Sequence, residues 1–266
     1  MTPEDLAALA EARRLLERRG LLVTMTEWVG KPIERGIALL PDGAAKRVQK
    51  ITRSSLDRAL RVALSTLGRR GAGAVGKPSS DRSHRLAGAA SGAVGGVFGL
   101  MGLAVELPVT TVIMLRSIAD VARSEGQDLD SIETRLECLE VFALGGPSPD
   151  DDAVESGYYA VRGALAKALS DAAEHVAARG AAGGAAPALV RLVERVATRF
   201  GVVVQDKVLL EAVPIVGAAS GALINTVFLA HFQDVARGHF TIRRLEAKYG
   251  AETVREAYER GSTSGA

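Results

Sequence analysis

The chain has 266 residues, enough to bury a sizeable core as one large domain or two small ones. Its apolar fraction is 47%, whereas aromatic residues make up only 4%. Cys138 is the single cysteine, which excludes an intramolecular disulfide and a metal site built from several cysteines. The net charge is only +2, so a strongly charged surface requires an uneven distribution of charge along the chain. The first ten residues, MTPEDLAALA, are acidic where a signal peptide is basic, and we expect no export signal.

Apolar residues recur with a helical period of about 3.6 along most of the chain, and this pattern predicts an all-α protein. A first helix is expected over residues 3–19, with Thr2 as its cap and Gly20 as its end. Residues 21–40 are ambiguous, because Gly30, Pro32 and Gly36 interrupt them. Further helices are predicted over residues 44–67, 129–144, 158–179, 187–204 (extending towards 210) and 240–258, the last interrupted by Gly250.

Positive charge is concentrated between residues 46 and 85, where eleven basic residues face only Asp57 and Asp81, a net charge of +9. The helix over 44–67 therefore has a basic surface. Three interpretations of this surface are open: it is solvated, it binds an anionic membrane, or it binds nucleic acid. Nucleic acid is disfavoured, because no aromatic residue lies between the arginines. The expected contacts with an anionic surface are Lys46, Arg47, Lys50, Arg53, Arg58 and Arg61.

Residues 71–80, GAGAVGKPSS, resemble the start of a phosphate-binding loop. Such a loop needs Ser or Thr directly after its lysine and a strand before it. Pro78 follows Lys77 here, and the preceding segment is predicted to be helical. We therefore interpret these residues as a linker and expect no nucleotide binding.

Two stretches free of charged residues dominate the rest of the sequence. The first follows Arg85 and has glycines at every fourth position, Gly88, Gly92 and Gly96, which places them on one face of a helix. The sequence Glu106-Leu107-Pro108 is expected to end this helix, with Pro108 in the first turn of the next. The result is a predicted helical hairpin over residues 85–126.

The second uncharged stretch, residues 212–230, follows the same design, with Glu211 shortly before Pro214 and then Gly217 and Gly221. Residues 233–237, QDVAR, also echo residues 119–123, ADVAR. These similarities indicate two related hairpin elements without proving a duplication. The predicted fold is thus an all-α multi-helix bundle around two apolar, Gly/Ala-rich helical hairpins.

Polar residues within these apolar regions are the candidates for a functional site. Arg116 and Asp120 are four residues apart, and His231 and Asp234 are three apart, so each pair is expected to be a structural contact within one helix. The alternative brings Glu106, Asp120, His231 and Asp234 together as a carboxylate–histidine site. Cys138 is expected in the core. No residue is assigned as catalytic, cofactor-binding or metal-binding; the candidate polar cluster is Glu106, Arg116, Asp120, Asn225, His231 and Asp234.

Several of these segments together resemble the EcsC family of bacterial proteins. The resemblance is carried by residues 106–111, ELPVTT, then by 115–120, 158–162, 214–218, Asn225 and 232–240, FQDVARGHF. It covers roughly residues 45–250. We accordingly divide the chain into an N-terminal helical extension, 1–44, an EcsC-like domain, 45–250, and a C-terminal helix end and tail, 251–266. The resemblance implies a helical fold and a bacterial setting, and it implies no reaction.

Each uncharged stretch has about 19 residues, near the length that spans a bilayer. Spanning is opposed by Asn225 within the second stretch and by Glu106 and Glu211 at the hairpin boundaries, since a charge in lipid is costly. The sequence therefore predicts a non-enzymatic cytoplasmic protein that binds the inner face of the membrane peripherally or inserts partly into it. It would act as an accessory or scaffold factor with a possible protein partner and without a cofactor. The alternative is an enzyme or carrier that holds an apolar molecule or lipid between the hairpins.

Overall fold

The helical periodicity of the sequence is realised as nine α-helices, and no strand occurs, in the part of the chain that our computed structural model describes. That part comprises residues 1–17, 43–67, 78–95, 99–146, 157–180, 186–212 and 217–263. The ambiguous segment 21–40 and most of the linker 71–80 lie outside it. The helices are α1 (Pro3–Leu16), α2 (Ala44–Thr66), α3 (Asp81–Gly95), α4 (Gly99–Ser124), α5 (Ile132–Leu144), α6 (Gly157–Arg179), α7 (Pro187–Ala212), α8 (Gly217–Tyr249) and α9 (Ala251–Thr263).

The all-α prediction is confirmed, and local signals explain several helix ends. The side chain of Thr2 caps α1 by accepting a hydrogen bond from the backbone N–H of Asp5 at 3.2 Å. Ser131 caps α5 in the same way. Gly250 has a φ of +87°, a left-handed conformation that suits glycine and that separates α8 from α9. The helix predicted over 240–258 is therefore wrong in its start, because α8 runs without a break from Gly217 to Tyr249.

The two predicted hairpins correspond to α3–α4 and α7–α8. Helix α3 packs against α4 and α8, and residues of α2, α4, α5, α6, α7 and α8 form one core. Phe142, Phe200, Phe228 and Phe232 meet in its centre, with ring centroids of neighbouring pairs 4.9–6.2 Å apart. Edge-to-face and tilted contacts of this kind add to the stabilisation from burial alone. Cys138 is fully buried in the same core, as expected.

The prediction that a helix begins at Pro108 is wrong. Helix α4 begins at Gly99 and contains Pro108 in its interior. Proline removes one hydrogen bond, to the carbonyl four residues earlier, which is that of Ala104. Because Ala104 is exposed, water can satisfy this carbonyl. The cost of the missing bond is thus lower than it would be within the core.

Glycines allow two helices, α3 and α1, to approach α8 closely. A Cβ atom at Gly88 of α3 would lie 3.2 Å from the side chain of Leu229, so this glycine is in close contact with α8. A Cβ atom at Gly238 of α8 would lie 2.8 Å from the backbone oxygen of Ala12 and 2.7 Å from Leu16. Gly238 thus sets the distance between α1 and α8. The surroundings of Gly92 and Gly96 lie outside the described residues.

We predict that Gly238→Ala destabilises the protein although alanine favours a helix by about 1 kcal/mol over glycine. The added Cβ would press on the backbone of α1, and overpacking of this kind typically costs about 1–3 kcal/mol. The matched control is Gly163→Ala in α6, where no atom lies within 4 Å of the added Cβ. Thermal unfolding should show a lower Tm for Gly238→Ala and a higher Tm for Gly163→Ala. Equal shifts in the two variants would contradict the close contact between α1 and α8.

Candidate functional site

The two hairpins are joined by a buried polar cluster formed by Glu106 of α4, Lys207 of α7 and Asn225 of α8. The Nζ of Lys207 lies 2.6 Å from Oε1 of Glu106. The Nδ2 of Asn225 donates to the same carboxylate oxygen at 2.8 Å and lies 3.2 Å from the backbone oxygen of Gly88 in α3. Glu106 is only 5% exposed, and Lys207 and Asn225 are not exposed at all. The cluster therefore ties four helices to one carboxylate.

This arrangement explains how charged residues are accommodated between apolar helices. Burying a charge is costly unless an opposite charge and hydrogen bonds compensate it, and Lys207 and Asn225 supply both to Glu106. Sequence reasoning included Glu106 and Asn225 among the candidates and missed Lys207. The available signal was a single lysine followed directly by Val208 and Leu209 in a helix whose other face is apolar. The arrangement fixes the relative position of the hairpins and leaves no exposed reactive group.

We predict that Lys207→Met costs about 3–5 kcal/mol, because it leaves the Glu106 carboxylate buried without an opposite charge. The double variant Glu106→Gln with Lys207→Met removes both charges and should recover much of this loss. Lys167→Met is the control, since the Lys167 side chain is 83% exposed and its removal should change stability by less than about 0.5 kcal/mol. Urea unfolding measures all three. A double variant no more stable than Lys207→Met would contradict a compensated buried pair.

Asp120, on α4, lies in a second cluster with partners that differ from those predicted. Its Oδ1 accepts a hydrogen bond from Arg123 at 2.6 Å, and its Oδ2 accepts one from the backbone N–H of Ser80 at 2.5 Å. The Nε2 of His84 lies 3.8 Å from the same Oδ2. Burial favours the neutral acid, but the nearby His84 and the hydrogen bonds from Ser80 and Arg123 outweigh it and lower the pKa of Asp120.

The predicted ion pair between Arg116 and Asp120 is therefore wrong. Arg116 is exposed on the outer face of α4, and Arg123, three residues after Asp120, pairs with it instead. Spacings of three and four residues both bring side chains together on a helix, so the spacing alone did not distinguish the two arginines. The additional hydrogen bond from the backbone of Ser80 holds the Asp120 side chain towards the start of α3, and Arg123 lies on that same side of α4.

We predict a coupling of about 1 kcal/mol between Asp120 and Arg123 in a double-mutant cycle of Asp120→Asn with Arg123→Met. The same cycle with Arg116→Met should give a coupling near zero. Because the pKa of Asp120 is lowered on folding, the coupling should be complete above the ordinary aspartate value of about 4 and decline as the pH falls below it. Unfolding in urea at pH 7 and pH 3 tests both points. A larger coupling for Arg116 would overturn the assignment.

The remaining candidates lie apart from these two clusters. The Nε2 of His231 lies 2.7 Å from the backbone oxygen of Gly145, and Asp234 lies 4.0 Å from Arg237. The alternative carboxylate–histidine site is not assembled: among the residues that the structure describes, no three His, Cys, Asp or Glu residues are placed to hold a metal ion. Glu106, Asp120 and His231 instead each bond to separate partners.

A further polar network, which sequence reasoning did not propose as a site, joins α5, α6 and α8. Arg162 makes two hydrogen bonds with Glu246, at 2.6 and 2.7 Å. Arg243 pairs with Glu137 at 2.7 Å and with Glu246 at 3.2 Å. Glu140 lies beside them and is only 3% exposed. The sequence signal was the stripe of Glu133, Glu137 and Glu140 on successive turns of a helix whose neighbouring positions are apolar.

The six basic residues predicted to contact an anionic surface all lie on α2. Every one of them is exposed, whereas Val48, Leu56, Leu60 and Ala63 of the same helix are buried in the core. Arg53 is 3.0 Å from Glu194 of α7, and none of the other five makes an ion pair with a described residue. The apolar face of α2 is thus used within the protein, and its basic face is directed to solvent.

These features define an all-helical protein in which two apolar hairpins are joined by a buried ion pair and flanked by a basic helix. The sequence model of the EcsC protein family matches residues 22–245. The chain therefore belongs to the EcsC protein family, as the resemblance in its sequence indicated. The match begins before residue 45, where the family domain was expected to start. Searches of curated proteins and of solved structures gave no match.

Proposed function

We propose that this protein associates with the inner face of a bacterial cytoplasmic membrane as a non-enzymatic accessory or scaffold factor. The observation that carries the proposal is the display of Lys46, Arg47, Lys50, Arg53, Arg58 and Arg61 on the solvent face of α2. A cluster of basic residues is attracted to anionic lipid headgroups, with about 1 kcal/mol for each Lys or Arg near the surface. Because the apolar face of α2 is already buried within the protein, α2 would bind the membrane through its positive charge and would not insert into the lipid.

A second observation supports contact with lipid. Six large apolar side chains are strongly exposed among the described residues, and five of them lie on the four hairpin helices: Leu86, Val105, Val109, Val202 and Leu223. Val105 and Val109 are one turn apart on α4, with Arg116 further along the same outer face. Val105 and Val109 thus form an exposed apolar pair on the outer face of α4, which supports contact with a membrane at this surface.

The hairpins do not need to span the bilayer for this contact. Within the described part of the chain, one segment, Gly102–Ser124, is long and apolar enough to cross a membrane, with a mean hydropathy of 1.5. However, 56% of its most apolar window is buried within the protein, which is equally typical of a core helix. The charge of Glu106, which opposed insertion in the sequence, is compensated internally by Lys207. We therefore favour peripheral binding with shallow burial of the exposed apolar side chains.

We predict that the protein sediments with vesicles rich in anionic lipid, and that Arg58→Glu with Arg61→Glu weakens this binding at least about thirty-fold. Loss of two favourable charges accounts for about 2 kcal/mol, and reversal adds repulsion. Both arginines are exposed and make no ion pair with a described residue, so the fold should tolerate the change. Far-UV circular dichroism and thermal unfolding would verify that it does.

The matched control carries the same change in charge elsewhere, Lys167→Glu with Arg179→Glu on the exposed side of α6. This variant should keep most of the vesicle binding. Raising the salt to about 1 M shortens the screening length to about 3 Å, so binding that persists there measures the apolar contribution. Equal loss of binding in the two charge variants would remove α2 from the proposed contact, and absence of sedimentation by the unmodified protein would refute membrane association.

A further inference from the structure

A polar cleft of about 360 Å³ lies between α5, α6 and α8, on the network of Glu137, Arg162 and Arg243. Its mouth has the exposed Glu133 and Glu174, and its floor has the buried Glu137 and Glu140. The wall supplied by α6 is partly apolar, with Ala166, Leu169 and Ala173. The cleft contains no residue of α2 and belongs to neither of the two hairpin clusters.

The carboxylates of the cleft outnumber its cations. Both guanidinium groups are already engaged, Arg162 with Glu246 and Arg243 with Glu137 and Glu246. Glu133 and Glu140 remain without an ion pair to any described residue, and Glu174 accepts only a hydrogen bond from Ser170 at 3.3 Å. The cleft groups that lack an ion pair to a described residue are therefore carboxyl groups, and beside them the Nε of Arg243 is a buried donor without a hydrogen-bond partner in the described part of the chain.

Glu140 is the group that indicates a ligand. It is 3% exposed, lines the cleft, and makes no hydrogen bond or ion pair with a residue that the structure describes. Its carboxyl oxygens are not fully enclosed, so they open on the cleft and can accept hydrogen bonds from a ligand there. Glu133, Glu137 and Glu140 lie on successive turns of α5, so carboxylates follow the cleft from mouth to floor over about 10 Å.

We propose that this cleft binds a small aliphatic amine, with one ammonium group on Glu140 at the floor and its methylene chain against Leu169 and Ala173. A second ammonium group would lie near Glu133 and Glu174 at the mouth, which favours a diamine or longer polyamine. An ammonium supplies hydrogen-bond donors to Glu140, which makes no hydrogen bond with a described residue, and adds to the positive charge of Arg162 and Arg243 near it. A metal ion fits less well, since no three described acidic, His or Cys residues are placed to coordinate one.

The proposal has a distinct pH dependence. Burial, with a smaller contribution from Glu137, raises the pKa of Glu140 to about 8 against the opposing effect of Arg162 and Arg243. Glu140 is thus mostly protonated at pH 7 and must release its proton to bind an ammonium group. Affinity should rise up to tenfold per pH unit below pH 8 and level off above it. The other charged or titratable groups around Glu140 are Glu133 and Glu137 of α5, Tyr158, Arg162 and Glu174 of α6, and His239, Arg243 and Glu246 of α8.

Isothermal titration of the full chain with 1,4-diaminobutane and spermidine tests the proposal, and 1,4-butanediol is the uncharged control of matched length. Glu140→Gln imitates the protonated acid that is present at pH 7, so this variant should fold normally. It should reduce amine affinity at least tenfold at pH 8 and abolish the dependence of affinity on pH. Glu252→Gln removes a carboxylate from the exposed side of α9 and should leave both properties unchanged.

Three results would overturn the proposal. One is the absence of amine binding by the unmodified protein at pH 8. Another is equal affinity of the Glu140→Gln variant and the unmodified protein, which would place the amine elsewhere. The third is displacement of the amine by stoichiometric Mg²⁺, which would identify a divalent-cation site. Vesicles play no part in the assay, so its outcome is independent of the proposed membrane association.

Discussion

The packing of the hairpins depends on one carboxylate, that of Glu106. Four helices reach it: α4 carries it, α7 and α8 supply Lys207 and Asn225, and α3 is held through the Asn225 bond to Gly88. Apolar helices rich in small residues can slide against each other with little change in contact area. A buried ion pair allows one alignment, because any shift leaves a charge without its partner. We therefore regard this cluster as a determinant of specificity rather than a main source of stability.

The periodic features of the chain were predictable from sequence. The helical class of the fold and the cap at Thr2 follow from local patterns, and the structure confirms them. The predicted helix boundaries were wrong at two places where a local sequence rule has an exception. A proline usually marks a helix start, but Pro108 lies inside α4. The carbonyl that loses its hydrogen bond belongs to Ala104, which is exposed, so water can replace the missing bond. Gly250, and not the end of the apolar stretch, terminates α8, since only Gly250 adopts a left-handed conformation there.

The candidate site was predictable only in part, because its contacts join residues that are distant in sequence. Glu106 and Asn225 were recognisable as polar residues in apolar surroundings, but no spacing rule connects them to each other or to Lys207. The partner of Asp120 was misassigned for a related reason: a bond from Ser80, 40 residues earlier, favours one side of the helix over the other. The exposure of the basic residues of α2, by contrast, was implied by the apolar positions between them.

The separation of Glu106 and Lys207 along the chain also has a consequence during synthesis. The two residues are 101 positions apart, so Glu106 leaves the ribosome long before its counter-charge exists. At typical rates of about 5–20 residues per second, the interval lasts about 5–20 s. During that time the first hairpin carries an uncompensated charge, which discourages both its complete folding and its passage into lipid. The final alignment of the bundle must therefore await the C-terminal half of the protein.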